Sequence, residues 1–339
     1  MPTKNPYGNM MIADLPGPEE ISVKEILDQI ENKSIDLICV LGPTASGKTK
    51  YAVALARELN RLRAERGKVN AAGAEILSGD SRQVYRGMDI GTGKDICEYG
   101  EIPYHLIDIV DAGTKFDLYQ YQKAFEKAYK DICDRGGIPI LCGGSGLYLE
   151  AATCGYSIPD VPPSPKLRAE LEEKSSEELI SMLASLKPLH NKTDIDTRKR
   201  LIRALEIAIW QKSHPVENSR FLPKSTYYIG TLVSREERNR RIDARLDARL
   251  AEGMADEVRG LLDSGIPAED LTYYGLEYKF VTQYVLGVLT LQEMKTLLGN
   301  AIHQFAKRQM TWFRGMERKG IRIHWVDHLP EASASKTKD

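Results

Sequence analysis

A chain of 339 residues exceeds one ordinary domain, so one large unit with a smaller insertion is expected. Its 42% hydrophobic and 28% charged residues suit a globular protein, while a formal charge of −1 excludes an overall nucleic-acid signature and leaves any polyanion site to local clustering. Cys39, Cys97, Cys133, Cys142 and Cys154 form no C-x-x-C pair and leave the C-terminal half without a thiol, which excludes a C-terminal zinc finger; each lies in or beside an apolar run and is expected to be buried and reduced, in a cytoplasmic protein.

Residues 1–33 read as a peripheral N-terminal extension with one short helix, where Ser22 and Glu25 have capping-box spacing. The first part of the core spans 34–156. "IDLICVL" (35–41) is a buried-strand run leading into "GPTASGKT" and a helix from about Lys48. "AEILSGD" (74–80) and "YHLIDIV" (104–110) read as the second and third strands. Apolar residues at 118, 121, 125, 128 and 132 predict an amphipathic helix closed by Gly136 and Gly137. "IPILCGGSG" (138–146) is a fourth strand running into glycines. Strands alternating with helices predict an α/β fold, a P-loop NTPase-like parallel sheet flanked by helices.

Four prolines in "SIPDVPPSP" (157–165) break regular structure, and helical patterns follow at 166–186 and 194–212, then a loose segment at 213–225. Residues 157–226 therefore read as a small helical insertion with a hinge at each end. The core resumes over 227–328 with the strand "YYIGTLV" (227–233). A helix opened by Ser234 and Glu237 follows, then a longest helix at about 291–315 and a short strand "IRIHWV". Residues 329–339 read as a disordered tail. No apolar run approaches the ~18 residues of a membrane span, and the N-terminus lacks a signal-peptide core, so no membrane partner is expected.

Gly42, Gly47, Lys48 and Thr49 match the pattern G-x-x-x-x-G-K-[ST], after a strand and opening a helix. Backbone N–H groups of such a loop, here Gly42, Pro43, Thr44, Ala45, Ser46 and Gly47, turn toward an anion; Lys48 adds a charge, and the Thr49 hydroxyl can ligate Mg2+. In "GDSRQVYRGMDIGTGK" (79–94), Asp80 falls at the carboxyl edge of the sheet, as a helix cap, a metal ligand or a functional acid. Ser81, Arg82 and Gln83 follow it with more hydrogen-bonding groups than a turn needs. The fourth strand ends in Gly143, Gly144, Ser145 and Gly146 rather than a carboxylate, which offers room for a bulky ligand, or simply a tight turn. Three basic runs follow: Lys199, Arg200 and Arg203, with Leu201 and Leu205 facing inward; Arg235, Arg238, Arg240, Arg241, Arg245 and Arg249; and Lys307, Arg308 and Arg314 beside Trp312 and Phe313. Each alone is an ordinary solvated face, but three together point to one polyanion-binding surface.

The segments "GPTASGKT", "DSRQVYRGMDIGT-K", "HLIDIVD", "GGSGLY", "RLIRALEI", "REE…RID-RLD", "GLEYK" and "AKRQMTWFRG", in this order, resemble the tRNA dimethylallyltransferases, or bacterial-type tRNA isopentenyltransferases, over residues 36–327. The plant cytokinin-forming adenylate isopentenyltransferases share the front half. The resemblance implies transfer of a dimethylallyl group from dimethylallyl diphosphate to N6 of the adenosine 3′ of the anticodon in tRNA, with release of diphosphate. It implies that the loop from Gly42 to Thr49 holds the diphosphate, with Mg2+ on Thr49 and with Arg235 in contact. Asp80 becomes the general base, and Ser81, Arg82 and Gln83 read a base flipped into a channel between core and insertion. Asp80, Ser145, Arg168, Lys199, Arg200, Leu201, Ile202 and Arg203 become contacts to the anticodon stem-loop, in a monomeric enzyme. The chain contains no Asp-Asp pair, so no D-D-x-x-D metal motif is available for the diphosphate. Departures from the family pattern are Ser145 for Thr, Gly93 for Ala, Asp117 for Ser, no Pro after Asp111, "GLEYKF" for G-Y-K-E, Ile302-His303 for Thr-Arg, and an insertion at 60–73. The competing readings are prenylation of free AMP, ADP or ATP, an ATP-dependent P-loop kinase, and a non-catalytic tRNA-binding paralogue.

Overall fold

The computed structural model describes residues 17–68, 72–156, 158–188, 195–214, 223 and 225–330. Residues 1–16 of the extension, most of the loose segment at 213–225 and residues 331–339 of the tail lie outside them. The chain forms two compact units, one of residues 1–154 with 222–339 and one of residues 155–221.

The larger unit opens with α1 (Val23–Glu31), β1 (Leu37–Leu41), α2 (Lys48–Glu65) and β2 (Ala74–Ser78). The short strands β3 (Tyr85–Arg86), β4 (Tyr104–His105) and β5 (Val110–Asp111) follow, then α3 (Leu118–Asp134), β6 (Ile138–Gly143) and α4 (Gly146–Thr153). Its main sheet has the order β4-β2-β6-β1, continuing on the far side of β1 with two later strands, and every pairing is parallel. β1 is buried at all five positions and lies between two neighbours, with Ile38 opposite Ile140 on one side and Tyr227 on the other. A continuous apolar run is what a strand covered on both faces requires.

Residues 17–33 are not peripheral, contrary to the sequence reading. Ser22 caps α1 by accepting the Glu25 N–H at 3.3 Å, and Val23, Ile26 and Leu27 enter the core with Val40, Leu55, Ile76 and Ile140. The run 104–110 is not one strand either. Leu106 and Asp108 take left-handed φ values of 66° and 55°, which breaks the extended chain. Tyr104 and His105 pair with Ile76 and Leu77, whereas Val110 and Asp111 pair with Tyr85 and Arg86 in a separate two-stranded ribbon. Asp117 caps α3 in a reciprocal box with Gln120, so it does what the more usual Ser would do there.

The smaller unit holds α5 (Pro165–Glu172), α6 (Ser176–Leu186) and α7 (Arg198–Ser213). The pattern at 166–186 is thus two helices, because Ser175 starts a new one in a capping box with Glu178. Leu171, Leu179, Leu183, Leu201, Ile202 and Leu205 form its core. Leu201 and Ile202 are 2% and 4% exposed, so as side chains they are core residues and not tRNA contacts.

The chain returns to the larger unit with β7 (Thr226–Thr231), α8 (Arg235–Ala251), α9 (Met254–Asp263), α10 (Ala268–Leu271), α11 (Leu276–Val285), α12 (Leu291–Arg318) and β8 (Ile323–Val326). β7 pairs with β1, and β8 completes the sheet beyond β7. Of the free cysteines, Cys39 and Cys142 are buried and Cys133 and Cys154 are half-buried; Cys97 is exposed, so its expected burial is corrected. No helix among the described residues is long and apolar enough to cross a membrane.

Candidate active site

The loop between β1 and α2 is a phosphate cradle in shape. Ala45 and Gly47 take positive φ values of 61° and 84°, and α2 begins at Lys48 with no side chain capping it, so its first-turn N–H groups are available to an anion. The loop is braced from two distant elements. Ser46 Oγ lies 2.6 Å from Thr231 Oγ1 at the end of β7, and the Thr44 N–H donates to Gln309 Oε1 on α12 at 2.8 Å. Burial draws the Lys48 ammonium below its ordinary pKa, opposed by Cys142 and Asp80 nearby. The same burial pushes the Cys142 thiol up to about 12.

Asp80 lies two residues beyond β2. Its Oδ1 accepts the Arg82 N–H at 2.8 Å in a local turn, and the Ser78 hydroxyl accepts the Asp80 N–H at 3.3 Å. Ser145 Oγ accepts the Ser81 N–H at 3.1 Å, so the hydroxyl that Ser shares with Thr fixes this turn. Gln83 is a brace: it accepts from Ser78 Oγ at 3.0 Å and donates to the Gly93 carbonyl at 3.1 Å. The Arg82 guanidinium lies 5.6 Å from the centre of the Tyr273 ring.

The segment from Tyr85 to Asp95 is held down independently. Buried Lys94 donates to the Tyr85 carbonyl and to Asp89 Oδ1, each at 2.6 Å, and also to Asp108, which accounts for the left-handed turn there. Glu257 on α9 accepts the N–H groups of Asp89, Ile90 and Gly91 at 2.7, 2.7 and 3.0 Å, and the Tyr278 hydroxyl donates to it at 2.6 Å.

Cradle and Asp80 turn open on one cavity of about 1130 Å3. Lys48, Thr49, Asp80, Ser81, Arg82, Gln83 and Ser145 all line it. Gly143, Gly144 and Gly146 border this cavity, as room for a ligand requires, and each is also met closely by the protein on another side. A Cβ would meet the Gly79 carbonyl oxygen at 2.4 Å from Gly143, Gln309 Nε2 at 2.5 Å from Gly144 and the Trp312 ring at 2.3 Å from Gly146.

Arg235 is exposed at the first turn of α8 and is not among the residues lining the cavity. Arg241, Arg245 and Arg249 of the same helix are, about two to four turns further along it. Their i, i+4, i+8 spacing on one helix face was the available sequence signal. Glu277 at the start of α11 faces Arg245 and Arg249, and burial raises its carboxyl pKa.

In the smaller unit, Arg168 and Arg203 share one acid that the sequence reading passed over. Glu206 accepts from Arg168 at 2.8 Å, from Arg203 at 2.5 Å and from the Ser164 N–H at 2.6 Å. Burial pushes this carboxyl up, but those donors outweigh it and hold it at about 2. Lys199 and Arg200 are exposed on the first turns of α7, with Arg200 paired to Asp196 at 3.0 Å.

Comparison with known proteins agrees with this architecture. The sequence model of a family described as IPP transferase matches residues 83–316. The chain is similar to tRNA dimethylallyltransferase 2 of Porphyromonas gingivalis W83, with 56% identity over 297 residues, 86% of this chain and 94% of that one. It is 52% identical over 299 residues to tRNA dimethylallyltransferase 1 of Parabacteroides distasonis, 87% of this chain and 93% of that one. Among solved structures, the full-length tRNA isopentenylpyrophosphate transferase of Bacillus halodurans matches 86% of this chain and 89% of its own, at 34% identity and a TM-score of 0.61. A parallel sheet carrying the cradle at the end of β1, together with these matches, gives the chain a P-loop NTPase-like fold. It belongs to the IPP transferase family.

Proposed function

We propose that this protein transfers the dimethylallyl group of dimethylallyl diphosphate to N6 of the adenosine 3′ of the anticodon in tRNA. The observation that carries the reading is the shared cavity: Lys48 of the phosphate cradle and Asp80 of the acceptor turn line the same space. In the reaction the C–O bond to diphosphate breaks, N6 bonds to the allylic carbon, and N6 loses a proton. The cradle N–H groups, Lys48 and the α8 arginines hold the charge that develops on the departing diphosphate. Asp80 Oδ1 is tied to the Arg82 N–H, which orients the carboxylate to accept the N6 proton. Ser81, Arg82 and Gln83 border the space for the flipped base, and Arg168, Lys199, Arg200 and Arg203 supply phosphate contacts to the anticodon stem-loop.

The described residues contain no group of three or more His, Cys, Asp or Glu able to cage a metal. This fits a Mg2+ ion that arrives on the diphosphate and takes the Thr49 hydroxyl as a protein ligand. Bound there, Mg2+ would neutralise the leaving group. The protein acts as a monomer in the cytoplasm, where its tRNA substrate is found.

The test is incubation with Mg2+, dimethylallyl diphosphate and unmodified tRNA whose anticodon is followed by adenosines, with AMP and ATP as parallel acceptors. Products are digested to nucleosides and weighed by mass spectrometry. A five-carbon adduct on adenosine from tRNA alone is expected. Adducts confined to AMP or ATP would move the protein to the cytokinin-forming branch, and no adduct anywhere would leave a tRNA-binding paralogue.

A further inference from the structure

Asp95 closes the segment that carries the acceptor turn, in a left-handed conformation with φ 42°. Its Oδ2 receives two cations at once, Arg245 Nη2 at 2.8 Å and Arg249 Nη2 at 3.4 Å. The two guanidiniums are seated against Gly93, where a Cβ would lie 1.8 Å from Arg249 Nη2 and 2.3 Å from Arg245 Nη2. Asp95, Arg245 and Arg249 all line the cavity that also holds Lys48 and Asp80. The Arg249 side chain is only 10% exposed, whereas that of Asp95 is 45% exposed.

Two guanidiniums packed together in a half-buried site repel, and burial adds to the cost of their charge. Burial and then Arg245 pull the Arg249 guanidinium below its ordinary pKa, while Asp95 and Glu277 oppose the shift. The carboxylate of Asp95 therefore sits where an anionic ligand would be drawn, and it uses a single oxygen for both cations. A diphosphate carries more charge than one carboxylate and can claim the same donors.

We propose that Asp95 competes with the diphosphate for Arg245 and Arg249, as a built-in counter-anion that sets diphosphate affinity. The inference rests on the reading that diphosphate occupies the cradle at Lys48. Asp95 touches no reacting atom and is a positioning residue. Its sign is opposite to that of an ordinary structural ion pair: removing the carboxylate strengthens diphosphate binding, because it leaves the arginines with one competitor fewer.

The experiment titrates inorganic diphosphate with Mg2+ into the wild-type protein and into Asp95→Asn, Asp95→Ser and Lys48→Ala by calorimetry. Asp95 makes no side-chain capping bond to the turn that follows, and Asn accepts left-handed φ as readily as Asp, so Asp95→Asn keeps the local fold. Asp95→Ser removes the same charge through a different side chain. Both variants are expected to bind diphosphate about fivefold tighter, the scale of one unit charge at ~4 Å in a water-like medium. In Asp95→Asn combined with Arg249→Gln the gain should shrink. Unchanged or weaker binding by both Asp95 variants, with binding abolished in Lys48→Ala, overturns this proposal alone. A wild-type protein that does not bind diphosphate, or a Lys48→Ala variant that binds it normally, overturns the cradle reading and this proposal with it.

Discussion

Gln309 and Thr44 are 265 residues apart in sequence, yet the Gln309 carboxamide accepts the Thr44 N–H at 2.8 Å and donates from its nitrogen to the Gly144 carbonyl at 2.8 Å. One buried side chain thus ties the cradle after β1 to the turn after β6. Gln309→Leu keeps the volume but leaves both backbone groups unpaired, a cost of about 1–3 kcal/mol. Diphosphate affinity should fall about tenfold, on the scale of 1.4 kcal/mol per decade. Titration of the variant with diphosphate checks this, and wild-type affinity would show that the cradle holds its shape unaided.

Asp80→Asn is the cleaner probe of proton transfer than Asp80→Ala. The amide oxygen can still accept the Arg82 N–H, so the turn survives while basicity is lost. Turnover should fall by roughly 10²–10⁴, with tRNA affinity nearly unchanged. Single-turnover kinetics beside a filter-binding measurement separates the two, and near-normal turnover would remove Asp80 as the base.

Gly146→Ala places a Cβ 2.3 Å from the Trp312 ring. The ring or α4 must shift, and overpacking of this kind costs about 1–3 kcal/mol. Expected are a melting temperature lower by about 2–4 °C per kcal/mol and an altered tryptophan emission. A variant with unchanged melting and emission would mean that the ring yields freely.

Glu206 makes the smaller unit acid-sensitive. Its folded pKa, about 2, lies below the ~4.3 of an unfolded glutamate, so its stabilisation is complete above the unfolded value and is lost as pH falls toward the folded one. Limited proteolysis across 165–213 should be constant above about pH 5 and accelerate between about pH 4 and 2. Glu206→Gln should flatten that leg and expose the segment more at neutral pH, since Arg168 and Arg203 lose their shared acid. An unaltered pH profile in the variant would place the acid sensitivity elsewhere.

The sheet and the cradle were legible because both rest on local signals. β1 is a continuous apolar run, and the loop after it is defined by residue spacing. The strand expected at 104–110 failed because Asp108 turns back to Lys94, a partner 14 residues away that no local period reports. The glycines after β6 were legible as a border of the cavity but not as close-packing positions, because what meets them comes from Gly79, Gln309 and Trp312, far off in sequence. Arg235 drew attention through its place in a motif, whereas the arginines facing the cavity are selected by helix rotation. Leu201 and Ile202 show the converse, since a motif can be matched for the core it builds as well as for the surface it shows.

Glu257 has one more consequence. Three successive N–H groups converging on an anion are the same device that the cradle offers, but at Asp89, Ile90 and Gly91 the anion is the protein's own carboxylate. A second anion nest, whose Gly91 borders the cavity, is therefore filled by the protein itself. With that nest filled, a molecule bearing its charge at one end and its hydrocarbon at the other would set the charged end at the cradle rather than at Asp89, Ile90 and Gly91.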